Sequence, residues 1–361
     1  RMSTQEDIVP NTYELFFAFK RIELVFDGYQ HGMEIDELAE FIISKYQQNG
    51  NCLAIMNTKS IALRLYKKIS ESVYSGVRVY YLSTELCPAH RTEIIKKIRG
   101  LLDSGQPVVC VSTQLIEAGV DISFNCVVRA LAGLDSIIQA AGRCNRHGNS
   151  ALQNVFVVNC VGERLDMLPD ILSGRQSTIK LLADFEREPE KLGGSLLSPT
   201  AICKYYGYYF FDREKNLGYS LDKHNTAVNL LGFSEKARTA FQNEYGSVFR
   251  HSLLAQAFRT VGKSFTPIAQ NTTGVIIPFT GCDEELQKLF AANNFKEKSR
   301  YYRRLQKFMV NVYENRLTEL MESRAIVFDE KYGIWILDKN FYSSETGISI
   351  SEADKTDNYI L

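Results

Sequence analysis

Net charge is the first thing this sequence lacks: 42 Lys and Arg stand against 42 Asp and Glu. No global excess of positive charge draws the chain to a polyanion, so any nucleic-acid partner must be held by local patches. No run of eighteen apolar residues occurs, which excludes a membrane-spanning helix and leaves no membrane partner expected. None of the eight cysteines falls in a CxxC spacing, which argues against a zinc ribbon or a dithiol redox motif. Several sit in apolar runs, Cys110 in PVVCVS among them, and buried, reduced thiols of a cytoplasmic protein are the expectation. The opening RMSTQEDIVPN has neither the apolar core of a signal peptide nor an initiator Met, so the chain is expected to be part of something longer.

What is present is an ordinary globular composition, 45% hydrophobic and 23% charged over 361 residues, enough for two domains. Short β-branched runs alternate with helical patterns over the first 160 residues. Strands are expected at Lys20–Phe26, Cys52–Met56, Val77–Leu82, Val108–Val111, Cys126–Ala130 and Asn154–Cys160. Between the first strands, Ile35, Leu38, Ala39, Ile42 and Tyr46 share one helical face, as do Ile61, Leu65 and Ile69. Asn57–Thr58 offers a cap to the second of these helices. Strands alternating with helices predict an α/β fold with a parallel sheet covered on both faces, with ligands at the C-terminal ends of its strands.

The pattern loosens afterwards. Residues 163–195 read as a helical linker ending at Gly193–Gly194, and 196–361 as an accessory region with a small α+β C-terminal domain. The Tyr-rich KYYGYYFFD (204–212) reads as packed core. Two strands are expected over 265–279, helices over 283–293 and 298–322, then strands in AIVF and IWIL.

Two stretches carry chemistry. In VSTQLIEAGVDI (111–122), Thr113 can bind a phosphate, Gly119 can take a positive φ or admit a close ligand, and Asp121 can accept from a ribose hydroxyl. In QAAGRCNRHG (139–148), the spacing puts Arg143 and Arg146 side by side on a helical turn. Their planar forks suit phosphate oxygens.

In this order, TQLIEAGVDI and QAAGRCNR closely resemble motifs V and VI of superfamily 2 helicases, in the second of their two RecA-like domains. CLAIMNTKSIALRLYKKI resembles motif IV, and IEAGVDISFN with SIIQAAGRCNRHG looks most like the CRISPR-associated helicase–nuclease of type I systems. LLAQAFRTVGKSFTPIAQNTTGVIIPF and AIVFDEKYGIWILD are similar to that family's C-terminal domain. The resemblance implies that residues 1–162 form a RecA-like domain. It implies arginine fingers at Arg143 and Arg146, nucleotide contacts from Gly119, Asp121 and Gln139, and DNA-backbone contacts from Thr113, Asn57 and Thr58. Motif VI usually carries Arg directly after its Gln; here Ala140 stands instead.

The family's activity would be ATP-driven, 3′-to-5′ translocation on single-stranded DNA with degradation of invading DNA. The implied partners are single-stranded DNA, the CRISPR surveillance complex and the N-terminal half of the same protein; a phage-encoded inhibitor belongs to the rival reading of the chain as an interaction module. ATP with Mg²⁺ and the nuclease metal would be held by the N-terminal RecA-like and HD domains, because this chain lacks their motifs. The GKS at Gly262–Ser264 has Ala257 where a P-loop demands glycine. No D-E-x-H or D-E-x-D box occurs, and none of the five histidines is followed by Asp, so no metal site is expected. The chain alone is expected to be inactive. The competing readings are another superfamily 2 helicase fragment and a non-catalytic interaction module.

Overall fold

The computed structural model describes residues 14–350 except 16–17, 27–28, 74–75, 149–150, 214–217, 222–225, 233–238, 240–241, 245, 247–256 and 266–271. All six strands expected in the first 160 residues form: β1 (Ile22–Val25), β2 (Asn51–Met56), β3 (Arg78–Leu82), β4 (Val108–Thr113), β5 (Val127–Ala130) and β6 (Gln153–Val158). They make one parallel sheet in the order β1-β6-β5-β2-β4-β3. The central β2 and β4 are in register from Asn51↔Val108 to Met56↔Thr113. Burial on both faces requires the near-continuous apolar runs these strands carry.

Helices α1 (Ile35–Asn49) and α2 (Lys59–Ser72) cover one face, and α3 (Pro88–Asp103) the other. Leu38, Ile42, Leu65 and Ile69 pack on Ala54, Val111 and Val128. Ile94 and Ile98 pack on Leu53, Cys110 and Val127. Each such Leu or Ile, fully buried, contributes about 1.5–3 kcal/mol. Thr58 caps α2, its hydroxyl accepting from the Ile61 amide. After β5, α4 (Leu134–Ala141) leads to β6, and α5 (Pro169–Arg187) follows. Gly133 and Gly174 let α5 cross close to the start of α4; a Cβ on Gly174 would lie 2.9 Å from the Gly133 Cα.

In α6 (Pro199–Asp212) the expectation of a tyrosine-packed core fails. Tyr205 is buried and donates to Asp135 at 2.7 Å, but Phe210 and Phe211 are 47% and 78% exposed. The run is aromatic all round the helix, so only one side can be covered.

Residues 206–271 form a compact unit of their own. It contains α7 (Ala227–Leu231) and α8 (Phe258–Ser264), tied by the Ala257 amide donating to Leu230 O at 2.8 Å. The GKS of 262–264 ends helix α8, whereas a P-loop places that triplet where a helix begins.

Residues 272–361 cluster with the first 205 as the other unit. They add α9 (Cys282–Ala291), α10 (Phe295–Leu305) and α11 (Glu314–Glu322). Strands β7 (Thr272–Ile276), β8 (Met309–Tyr313), β9 (Ile326–Asp329) and β10 (Ile334–Leu337) form a sheet in the order β8-β7-β10-β9. The helix expected over 298–322 is therefore broken by β8. In MVNVY, Val310 and Val312 are buried and Asn311 and Tyr313 exposed, a period of two that no helix sustains. Of the two strands expected over 265–279, β7 is found and residues 266–271 lie outside the described ones.

This sheet packs on the start of α3. Cys87 joins Val275, Ile277, Leu320 and Ile348 in one cluster. His90 stacks on Phe279 with centroids 4.5 Å apart, and its Nδ1 lies 2.9 Å from the Tyr342 hydroxyl. The hairpin β11 (Tyr342–Ser343) and β12 (Gly347–Ile348) closes the contact. Gly347, at φ 87°, passes so near Glu85 that a Cβ would lie 2.3 Å from its carbonyl oxygen.

Desolvation holds the His90 pKa below its ordinary value; Lys97 adds to the effect and Glu93 opposes it. The unfolded chain then takes up the proton first, so stability is expected to fall as pH drops through about 6.5 toward the folded-state value. Urea midpoints measured from pH 8 to 5 should decline for the wild type. They should be flatter for His90→Gln, which has no titrating ring.

Candidate functional site

The helix that carries Gln139 stops at Gly142, so Arg143 and Arg146 do not share a helical face as their spacing predicts. The cause is a parallel bridge between Phe124 and Cys144. Phe124 N donates to Arg143 O at 2.8 Å and Asn145 N to Phe124 O at 3.0 Å, which pulls the chain out of the helix. Asn145 takes a left-handed φ of 46°, with its side-chain amide on Arg21 O and Ala151 O. The two arginines therefore differ in burial and in partners.

Arg143 is buried. Its Nε donates to Ile116 O at 2.9 Å and its Nη2 to Glu117 O at 2.6 Å. Its Nη1 is buried with no hydrogen-bond partner among the described residues. Leaving such a donor unsatisfied costs about 1–3 kcal/mol, and a phosphate oxygen is the kind of acceptor that would complete it. Desolvation, followed by the neighbouring Arg146, pushes the Arg143 pKa down. The carboxylates of Asp121 and Glu117 oppose that effect.

Arg146 is part-exposed, with its Nε 2.8 Å from Asp121 Oδ1 and the two side chains 40% and 65% accessible. A surface pair of this kind contributes at most about 1 kcal/mol, so either partner can be drawn away by a stronger ligand. The Asp121 backbone carbonyl accepts both Nε and Nη2 of Arg99 from α3, which anchors the loop. Gly119 sits in that loop at φ 73° with open space where a Cβ would be. Gln139 is exposed on the last turn of α4. Gly119, Asp121, Arg143 and Arg146 thus line one neighbourhood, where the chain returns from β4 to β5.

The other predicted residues form a second group at the C-terminal edge of the sheet. Thr113 ends β4, in register with Met56, and Asn57–Thr58 follow β2. The amides of Asn57 and Thr58 and the Asn57 side chain all donate to the carboxylate of Glu163, at 2.8, 3.0 and 2.8 Å. The start of α2, expected to be open to DNA, is occupied in this structure by an internal anion. A carboxylate there is favoured by the helix dipole.

Sequence reasoning missed the residue that joins the two groups. Arg129, on β5, is fully buried. Its Nε pairs with Glu117 Oε1 at 2.8 Å, its Nη1 donates to Asn57 Oδ1 at 2.7 Å and Ala130 O at 2.9 Å, and its Nη2 donates to Ser136 Oγ at 2.9 Å. Ser136 in turn donates to Glu117 Oε2. A continuous polar chain thus runs from Arg143 through Glu117 and Arg129 to Asn57 and Glu163. Burial raises the Glu117 pKa and Arg129 opposes the rise; burial likewise lowers the Arg129 pKa. The available signal was an arginine inside the apolar run VVRALA, a placement tolerated only with a partner.

Residues 48–149 match a family model described as the CRISPR-associated nuclease/helicase Cas3, C-terminal. A protein of that name from Haloferax volcanii is 38% identical over 125 residues, 33% of this chain and 13% of that protein. The one from Methanothermobacter thermautotrophicus is 29% identical over 97 residues, 27% of this chain and 11% of that protein. Among solved structures, T. fusca Cas3–ADP aligns with 92% of this chain and 43% of its own, at a TM-score of 0.54 and 14% identity. A chain of a pre-nicking CRISPR RNA-guided surveillance complex aligns at a TM-score of 0.50 and 15% identity, covering 88% of this chain and 40% of its own. These structural likenesses establish a shared fold, and this chain spans less than half the length of either structural relative.

Proposed function

The chain resembles the C-terminal part of the Cas3 helicase, and we propose that it works as the second RecA-like lobe and C-terminal domain of such an enzyme. In this reading residues 1–162 are the RecA-like lobe, 163–195 a helical linker and 196–361 the accessory region and C-terminal domain. The parent protein is a cytoplasmic, ATP-dependent translocase on single-stranded DNA. It degrades invading DNA together with a CRISPR surveillance complex. Its P-loop, magnesium-binding carboxylates and nuclease metal ligands belong to the N-terminal half.

The observation that carries the proposal is the pair of unequal arginines beside Gly119. Arg146, held by a surface pair with Asp121 and a long 3.5 Å hydrogen bond to Gly142 O, is free to exchange that carboxylate for a phosphate. Arg143 keeps one buried Nη1 without an acceptor among the described residues. Both donate to the transferring phosphoryl group, where an arginine stabilises the charge that builds on the oxygens during bond cleavage. Asp121, released by Arg146, and Gln139 position the rest of the nucleotide. Thr113 and the Asn57–Thr58 turn contact the DNA backbone, the latter once Glu163 yields its place. Closure of the two lobes joins these events, so hydrolysis is coupled to stepping.

The test is reconstitution. The chain alone should hydrolyse no ATP. Combined with the N-terminal half of its parent protein, it should give ATP hydrolysis that single-stranded DNA stimulates. Hydrolysis by the chain alone, or a complete pair indifferent to DNA, contradicts the proposal.

A further inference from the structure

Helix α10 carries an uncompensated row of cations. Lys296, Arg300 and Arg303 are exposed and spaced four and three residues apart. At 3.6 residues per turn they fall within about 60° of arc, and exposed Lys307, in the turn that follows, continues the line. The opposite side of the helix faces the core. Leu305 is buried, Tyr302 donates to Tyr332 O at 2.7 Å, and Tyr301 lies under the Arg304 guanidinium. The tyrosines that interleave with the basic residues in sequence are thus turned inward.

A basic face is usually no more than solvated surface, but three features argue against that here. First, the helix's other cations have charged or ring partners, whereas Lys296, Arg300 and Arg303 have neither among the described residues; Lys307 lies over the Phe308 ring and has no anion among them. Arg304 lies 3.6 Å from Glu285 and Lys298 sits over the Tyr332 ring, whereas Lys296, Arg300, Arg303 and Lys307 make no ion pair among the described residues. Glu297, the lone acid of α10, stands three residues before Arg300 without forming an ion pair among the described residues, and it is about a quarter turn or more from Lys296 and Arg303. Second, the row is unfavourable to the isolated helix. Like charges at these spacings repel by about 0.2–0.5 kcal/mol per pair, and Lys296 stands in the first turn, where the helix dipole disfavours a cation. Third, Phe295, at the head of the row, is 87% exposed, leaving an aromatic face open to solvent beside the cations.

We propose that this face of α10 is a docking surface for single-stranded nucleic acid. Lys296, Arg300, Arg303 and Lys307 follow successive phosphates, and Phe295 stacks on an unpaired base. A polyanion removes the repulsion along the row, and an unstacked base covers the ring; a duplex offers no free base face, and an acidic peptide without aromatic residues no ring to stack. The surface needs no nucleotide and does not rest on the arginine-finger reading.

The experiment is fluorescence anisotropy of a labelled dT20 oligonucleotide with this chain, without ATP, between 50 and 200 mM KCl. Replacing Lys296, Arg300, Arg303 and Lys307 together by Gln should weaken binding at least tenfold at low salt. It should also reduce the slope of log K against log salt by about 2–3, at about 0.7 per lost phosphate contact. Phe295→Ala should weaken binding about fivefold or more at every salt concentration and leave the slope unchanged. Arg187→Gln with Lys191→Gln, two exposed cations elsewhere, should leave the slope as it is. No binding of dT20 by the wild type, or an unchanged slope in the quadruple variant, overturns the proposal. So does equal affinity for polyglutamate with no effect of Phe295→Ala, which would assign the surface to an acidic protein. Arg146→Ala should not alter this binding, so the failure of either proposal is told apart from failure of the other.

Discussion

Arg129→Met should cost about 3–5 kcal/mol of folding stability, the range found when one member of a buried ion pair is removed. The substitution keeps most of the apolar volume, so the loss reports charge rather than a cavity. Left behind are a buried Glu117 carboxylate, an Asn57 side-chain oxygen and a Ser136 hydroxyl, each deprived of a partner. Glu117 already has a raised pKa with Arg129 beside it, and without that cation the pKa should rise further. A carboxyl whose folded pKa exceeds its unfolded value is stabilising when protonated. The Arg129→Met protein should therefore lose stability as pH climbs from about 4.3 through the folded value. Adding Glu117→Gln should restore part of the loss and remove that pH dependence, because an amide can stay buried without carrying charge. Urea unfolding between pH 4 and 8 measures both effects. A single variant within about 1 kcal/mol of wild type would mean that the polar chain from Arg143 to Asn57 is not a structural strut.

This strut shows where sequence reading stops. The six strands of the first sheet were legible because each is an apolar, β-branched run set between helices of regular spacing. The Thr58 cap was legible for the same local reason. Glu163 was not: it lies 106 residues from Asn57, and no local pattern marks a carboxylate that will fold back onto a helix start. The positions of Arg143 and Arg146 were read from spacing alone, which assumed a helix that the Phe124–Cys144 bridge ends. In the C-terminal sheet, β8 was absorbed into a helix because its flanks are helical, although Val310 and Val312 alternate with polar neighbours. Tyrosine-rich α6 misled in the opposite way, since aromatic content says nothing about which side of a helix finds a partner.

The largest effect on activity is expected at Arg146. Its side chain is part-exposed and its one carboxylate partner is a surface aspartate, so Arg146→Ala should change stability by less than about 1 kcal/mol. Arginines that act on a transferring phosphoryl group are worth about 10³–10⁵ in rate. A loss of that size without a loss of stability separates a catalytic role from a structural one. Arg143 is expected to differ, because its Nε and Nη2 hold the Ile116–Glu117 backbone. Replacing it should lower both stability and rate.

The most direct measurement is single-turnover ATP hydrolysis by the chain joined to the N-terminal half of its parent protein, at saturating single-stranded DNA, for wild type and Arg146→Ala. The predicted result is a rate at least about a thousandfold lower in the variant, with its unfolding midpoint unchanged. Equal hydrolysis by the two proteins would contradict the assignment of Arg146 to the phosphoryl group, and with it the account of this chain as half of an ATPase site.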